Sequence, residues 1–295
     1  MQEGQIIKGI SGFYYVKTGS VVYECKARGI FRKNDFVPVI GDNVEYSIND
    51  ENKLTGVIEK IKPRKNFLVR PSVSNIDQLI IVFAVKSPSP DFMLLDKLII
   101  KATEIGVESI ICINKIDLCV DGFDAIKCYE KAGYKTIFVS AVKGLGIEKL
   151  KEVMKDKVSI LAGPSGVGKS TIINSLNINV LAKTGDISNK IERGKHTTRH
   201  VELFEMESGG YIADTPGFTS LSIEKISSER LQDYYPEFNN YLGTCRFTGC
   251  THISEPDCGI KEALKVNEID KQRYDRYIEL HKTLKEAERY KKWEL

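Results

Sequence analysis

No stretch of this chain approaches the roughly 18 consecutive apolar residues that a membrane-spanning helix needs. The longest apolar run, Leu79 to Val85, suits a buried strand instead. The N-terminal MQEGQIIKGI lacks a basic start followed by an apolar stretch, so no secretory leader is expected. The C-terminal ERYKKWEL lacks a lipidation motif. An excess of one charge is missing too: 43 Lys and Arg face 40 Asp and Glu, a net of +3 that does not by itself announce a nucleic-acid binder. Internal repeats and low-complexity tracts are absent, and 42% hydrophobic against 28% charged residues is the balance of a globular chain, not a disordered one. The expectation is a cytoplasmic protein of two or three domains with no membrane contact.

The charge that is present is unevenly placed. Residues 1–70 hold 12 basic and 8 acidic side chains, residues 71–230 hold 20 of each, and residues 231–295 hold 11 against 12. The basic excess therefore sits in the first segment, where it can face phosphates. That segment reads as five short strands (IIKGI, FYYVK, VVYECKA, NVEYSI, TGVIEKI) separated by Gly, Asn and Asp. Five such strands fit a small closed β-barrel, of which the OB-fold is the common RNA-binding kind. Lys26, Arg28, Arg32 and Lys33 cluster around one connection and offer it a basic rim.

From residue 76 apolar strands alternate with helices: IDQLIIVFAV, the helix FMLLDKLIIKATEIG, VESIICIN, TIFVSA, a helix over 146–154, VSILAG, a helix after Lys169, then VELFEM and YIADTPG. That rhythm predicts a parallel sheet covered on both faces. VSILAG runs into GPSGVGKST, the G-x-x-x-x-G-K-S phosphate loop in its required context of strand, loop and helix. Gly163, Pro164, Ser165, Gly166, Val167 and Gly168 curl backbone N–H groups around phosphates, and the helix dipole adds to them. Lys169 is expected to reach the β- and γ-phosphates, Ser170 to ligate Mg²⁺, and Thr171 to continue the cradle.

Asn114-Lys115-Ile116-Asp117 closes another strand. Guanine presents adjacent N1–H and N2 amino donors that one carboxylate accepts together, whereas adenine offers an acceptor at that ring position. Asp117 is thus the guanine reader, with Asn114 and Lys115 shaping the pocket and Ser140-Ala141 supplying a backbone contact to O6. YIADTPGF puts Asp214 on Mg²⁺ through water and the Gly217 amide on the γ-phosphate. Thr197 and Thr198, in the apolar-poor stretch 183–200, are candidate Mg²⁺-closing hydroxyls. The motif order is inverted relative to common small GTPases: Asn114 and Ser140 precede Gly163, and Asp214 comes last. A circular permutation explains it, with the second switch running directly into the C-terminal segment.

Cys25, Cys112, Cys119 and Cys128 are scattered and read as small buried or incidental thiols. Cys245, Cys250, His252 and Cys258 lie within 14 residues and supply three thiolates and an imidazole, a closed tetrahedral set for one structural Zn²⁺. A polar helix is expected from about 268 to 292.

With these motifs assembled, the chain resembles the ribosome small subunit-dependent GTPase A family along essentially its whole length. The resemblance rests on a barrel, then NKID, SAVKG, GPSGVGKS, GKHTTR and DTPGF in permuted order, then the Cys-Cys-His-Cys segment. It implies an α/β fold: an OB-fold barrel over 1–70, a circularly permuted P-loop GTPase core over 71–230, and an α-helical zinc-binding domain over 231–295. The implied role is late maturation of the small ribosomal subunit, with GTP hydrolysed to GDP in a subunit-stimulated reaction and with barrel and zinc domain on rRNA. The chain is expected to act as a monomer. Phe218 occupies the position where many GTPases carry a water-orienting Gln, and His196 matches the histidine that the family uses instead. A GTPase acting on the large subunit or tRNA, and an RNA-binding structural protein with a regulatory nucleotide site, are the rival readings; the second predicts a damaged phosphate loop or base reader, and both are intact.

Overall fold

The computed structural model describes residues 1–29, 31, 36–69, 71–118, 123–176, 178–179, 202–214, 223 and 226–293. The chain opens with β1 (Gln2–Ile10), β2 (Phe13–Thr18), β3 (Val21–Ala27), β4 (Asn43–Asp50) and β5 (Thr55–Ile61). Their order is β1-β2-β3-β5-β4, and β4 returns to pair with β1, which closes the sheet into a barrel. All these pairings are antiparallel except β3 with β5, as in an OB-fold. Register shifts in β1 and β4 bend the strands enough to close. Ile6, Val16, Cys25, Val44, Tyr46 and Ile58 fill the interior with no exposed surface.

A two-residue hairpin, β6 (Phe67–Leu68) with β7 (Val73–Ser74), leads into the second unit. Its strands are β8 (Gln78–Ala84), β9 (Glu108–Asn114), β10 (Lys135–Phe138), β11 (Val158–Ala162), β12 (Ile178–Asn179), β13 (Glu202–Met206) and β14 (Tyr211–Asp214). They lie in the order β10-β9-β8-β11-β14-β13, with β12 on β13. β8 is buried at every residue, as its unbroken apolar run requires of a central parallel strand. Helices α1 (Phe92–Glu104), α2 (Lys127–Lys131), α3 (Ile147–Met154) and α4 (Lys169–Ser175) connect the strands. Asp91 starts α1 by accepting the Leu94 amide at 2.9 Å.

VELFEM departs from the expected parallel set. β13 runs antiparallel to β14, because a turn closed by Gly209 and Gly210, both at positive φ, joins them directly and leaves no room for a crossover helix. β13 also receives the barrel: Lys8 pairs in register with Glu202 and bridges it at 3.0 Å, while the buried Lys17 reaches Glu205.

The third unit has short 3-10 turns at Ser228–Tyr234 and Pro236–Phe238, then α5 (Gly259–Lys265) and α6 (Lys271–Trp293). Asp270 accepts the Arg273 amide at 2.8 Å, so α6 starts after it instead of near 268. Leu231, Tyr235, Phe238, Ile260, Tyr277 and Leu280 form its core, which Ile100 of α1 joins. A charged network crosses the same seam. Asp96 of α1 accepts from Arg273 and Arg276 of α6, each at 2.6 Å, and from the Tyr129 hydroxyl at 2.8 Å. Arg273 also binds Glu237 and lies over the rings of Tyr129 and Tyr235. Among the described residues no helix is long and apolar enough to cross a membrane.

Candidate functional site

β8 and β11 are neighbours, yet the chain leaves them in opposite directions, through β9 to β10 on one side and through β14 to β13 on the other. Open α/β sheets bind ligands at such a reversal, outside the carboxyl ends of the strands. Four of the sequence motifs end there. The phosphate loop follows β11, Asn114 ends β9, Ser140 follows β10, and Asp214 ends β14 level with Leu161.

The phosphate loop has its curl because two glycines accept positions closed to other residues. Gly163 has φ +137, and a Cβ there would sit 2.1 Å from the Val82 carbonyl oxygen. Gly168 has φ +96, and its Cβ would lie 2.3 Å from Asn114 Nδ2. The Lys169 ammonium donates to the Gly163 and Pro164 carbonyls, both at 2.7 Å, so a positive charge lies inside the curl. Ser165, Gly166, Ser170 and Thr171 are exposed around it, and Val167 is buried beneath.

Asn114 braces the loops. Its Nδ2 donates to the Val167 carbonyl at 2.9 Å, and its Oδ1 accepts the Ala141 amide at 3.1 Å. One buried side chain therefore locks the phosphate loop against the loop after β10. The Ala141 amide, expected on guanine O6, is engaged by Asn114 here. Lys115, at φ +63, donates to the Gly166 carbonyl at 2.7 Å and to the Ser87 carbonyl. Asp117 is exposed, and its Oδ1 accepts the Ser140 hydroxyl at 2.5 Å. That hydrogen bond, with help from the Lys143 and Lys115 charges, holds its carboxyl below the ordinary aspartate value. The sequence suggests only a backbone contact for Ser140-Ala141; that the Ser140 hydroxyl holds the Asp117 carboxylate is visible in the structure alone. Its signal exists only once β9 and β10 are side by side.

His196, Thr197, Thr198 and Gly217 lie outside the described residues, as does Phe218. Asp214 is placed by its backbone at the sheet end beside the phosphate loop.

Cys245, Cys250, His252 and Cys258 converge, with all four ligand atoms within 4.8 Å of one another. Cys245 Sγ is 3.8 Å from Cys258 Sγ, and His252 Nδ1 is 3.5 and 3.4 Å from the two sulfurs. A tetrahedral ion with metal–sulfur bonds of about 2.3 Å needs sulfurs about 3.8 Å apart, so the donor set fits a bound cation. Burial pushes the Cys250 thiol up to about 12 and lowers His252; a bound cation would favour the thiolate form. Burial would raise Glu255 as well, but Thr251, Ile253 and Ser254 donate to it and hold it down at about 2, which fixes the loop between the ligands.

Two family models match in tandem. The RsgA N-terminal domain covers residues 3–58 and the RsgA GTPase covers residues 61–224. A curated relative from Ruminiclostridium cellulolyticum, named small ribosomal subunit biogenesis GTPase RsgA, is 52% identical over 99% of this chain and 96% of its own length. One of the same name from Alkaliphilus metalliredigens is 46% identical over 98% and 100%. The crystal structure of YjeQ from Thermotoga maritima superposes with a TM-score of 0.80 at 36% identity, covering 96% of this chain and 98% of that one. That of YloQ, titled a circularly permuted GTPase, gives 0.80 and 36% over 97% and 96%. The strand order, with a phosphate loop that follows the Asn114–Asp117 turn in the chain yet meets it in space, is that permuted arrangement, and the chain belongs to the RsgA GTPase family.

Proposed function

We propose that this protein binds the small ribosomal subunit and assists its late maturation, hydrolysing GTP to GDP and phosphate at a rate that the subunit raises. The observation that carries the reading is Asn114, bonded at once to the phosphate loop and to the loop after β10, so that one rigid pocket serves base and phosphates. The names of the curated relatives support the choice of partner.

In this reading Asp117 accepts the two guanine donors, and Lys115 flanks the base while tying down the phosphate loop. The N–H groups of residues 163–171 bind phosphate oxygens, with the Lys169 ammonium among them. Ser170, Asp214 and one of Thr197 and Thr198 hold Mg²⁺, which neutralises charge on the phosphates. The Gly217 amide meets the γ-phosphate. His196 orients the attacking water, a task Phe218 cannot perform because its ring has no hydrogen-bonding group. The Cys245, Cys250, His252 and Cys258 set holds one Zn²⁺; four protein ligands leave no open position, so the ion is a structural staple. The barrel and the zinc domain contact rRNA, and the protein works as a monomer in the cytoplasm.

The test is single-turnover GTP hydrolysis by the free protein, with isolated small subunits and with isolated large subunits. External completion of a GTPase site is worth roughly 10³–10⁵-fold elsewhere. The expected result is stimulation of about 10²-fold or more by small subunits alone, with His196→Ala losing most of it while keeping GTP affinity. Stimulation by large subunits only, or by neither, overturns the assigned partner. A His196→Ala rate within about twofold of wild type, under roughly 0.5 kcal/mol of barrier, moves the water-orienting role to another group.

A further inference from the structure

The metal-ligating cluster has a partner from a different stretch of chain. His252 turns Nδ1 toward the sulfurs of Cys245 and Cys258. A neutral imidazole that gives one nitrogen to a metal keeps its proton on the other, so the N–H is on Nε2. Nε2 lies 2.6 Å from Gln232 Oε1, which accepts it. The amide orientation has independent support, because Gln232 Nε2 donates to the Glu229 carbonyl at 3.2 Å. Both ends of this side chain are therefore engaged in the sense the tautomer demands. The ring itself is held edge-on to Phe238 at 6.0 Å, and the Tyr274 hydroxyl donates to the His252 carbonyl at 2.6 Å.

Gln232 belongs to the 3-10 turn Ser228–Tyr234, not to the ligand segment 245–258. That turn is seated by Leu231, which is fully buried in the same core as Ile223 and Ile226. It lies on the chain that arrives from the phosphate-site end of β14.

We propose that Gln232 is the positioning residue of the zinc centre: it fixes His252 as an Nδ1 ligand and ties zinc occupancy to the seating of the 228–234 turn. The inference rests on the zinc reading above. Thermodynamic linkage makes the tie reciprocal, so the factor by which a seated turn strengthens zinc binding is the factor by which zinc favours the seated turn.

The experiment uses the full-length protein loaded with Zn²⁺. Zinc affinity is measured by competition with a chromophoric chelator for wild type, Gln232→Leu and Gln232→Glu. The Leu variant keeps bulk and removes the acceptor, whereas the Glu variant restores an acceptor. Partners of this kind are worth about 10–100-fold in metal affinity. The expected outcome is a loss of that size for Gln232→Leu, with Gln232→Glu within about threefold of wild type. Ring-nitrogen chemical shifts of wild-type His252 should show Nδ1 on metal and the proton on Nε2, and hydrogen exchange over 228–234 should quicken when zinc is chelated. A Leu variant within about twofold of wild type, or a proton on Nδ1, overturns the proposal. The ring measurement needs no substitution, so it decides even where a variant fails to fold. Wild-type protein that binds no zinc overturns the zinc reading itself, a result distinguishable from an unaffected variant on a zinc-loaded protein.

Discussion

At Asp117, the residue proposed to read the purine, the Ser140 hydroxyl donates to the carboxylate and fixes where it points. This bond holds the Asp117 carboxyl below the ordinary aspartate value, so on the proposed role GTP binding should persist until the pH falls below the ordinary aspartate range, as a titration of affinity against pH measures. Asp117→Asn should weaken GTP binding and favour xanthosine triphosphate, since the amide donates to the extra carbonyl of xanthine. Competition among GTP, ATP and XTP measures it, and an unchanged GTP preference would remove Asp117 from the role. Asn-Lys-x-Asp was legible because four consecutive residues carry it. The Ser140 contact was not, because it joins residues from two strand ends that only the parallel pairing of β9 and β10 makes neighbours.

The elements of the GTPase sheet were legible in proportion to how local their causes are. Asp91 caps α1, and the buried run of β8 marks a central strand. The apolar pattern of β13 does not encode its direction and groups it with the parallel set; the Gly209-Gly210 turn makes it antiparallel. The phosphate loop depends on a close approach that the motif implies and the structure dimensions. Gly163→Ala puts a methyl group 2.1 Å from the Val82 oxygen at φ +137. Strain of this kind costs about 1–3 kcal/mol before any displacement of the loop. GTP binding should weaken by roughly 10–100-fold, since 1.4 kcal/mol is a factor of ten, as read by titration with a fluorescent GTP analogue. Affinity equal to wild type would mean that the loop adopts another curl when nucleotide is bound.

Across the whole molecule, the unit holding the metal cluster is fastened to the GTPase sheet by Asp96, Arg273 and Arg276, of which Asp96 is 1% and Arg273 2% exposed. Removing one member of a buried ion network costs about 3–5 kcal/mol, because its partners stay behind uncompensated. Asp96→Ala should therefore speed hydrogen exchange along α6 far more than Asp275→Ala, whose partner Lys271 is exposed. Equal effects from the two substitutions would show that the apolar seam alone fastens this unit. The barrel is attached elsewhere, through β1 on β13. Lys8 of β1 pairs with Glu202, and Glu202 pairs with Asp214, so the barrel joins the sheet at the end that carries Asp214.

The sequence by itself determined the motifs and their order: a phosphate-loop pattern, an Asn-Lys-x-Asp turn, a permuted arrangement and a Cys3His set. Each of these is carried by residue types at short spacings, where chain geometry leaves few alternatives. Only the tertiary structure decided how these parts are joined. Asn114 reaches Val167 and Ala141, Asp96 reaches Arg273 and Arg276, and Gln232 reaches His252. Such contacts link residues far apart in the chain, and their partners are set by which strands and helices pack side by side, so no local pattern announces them.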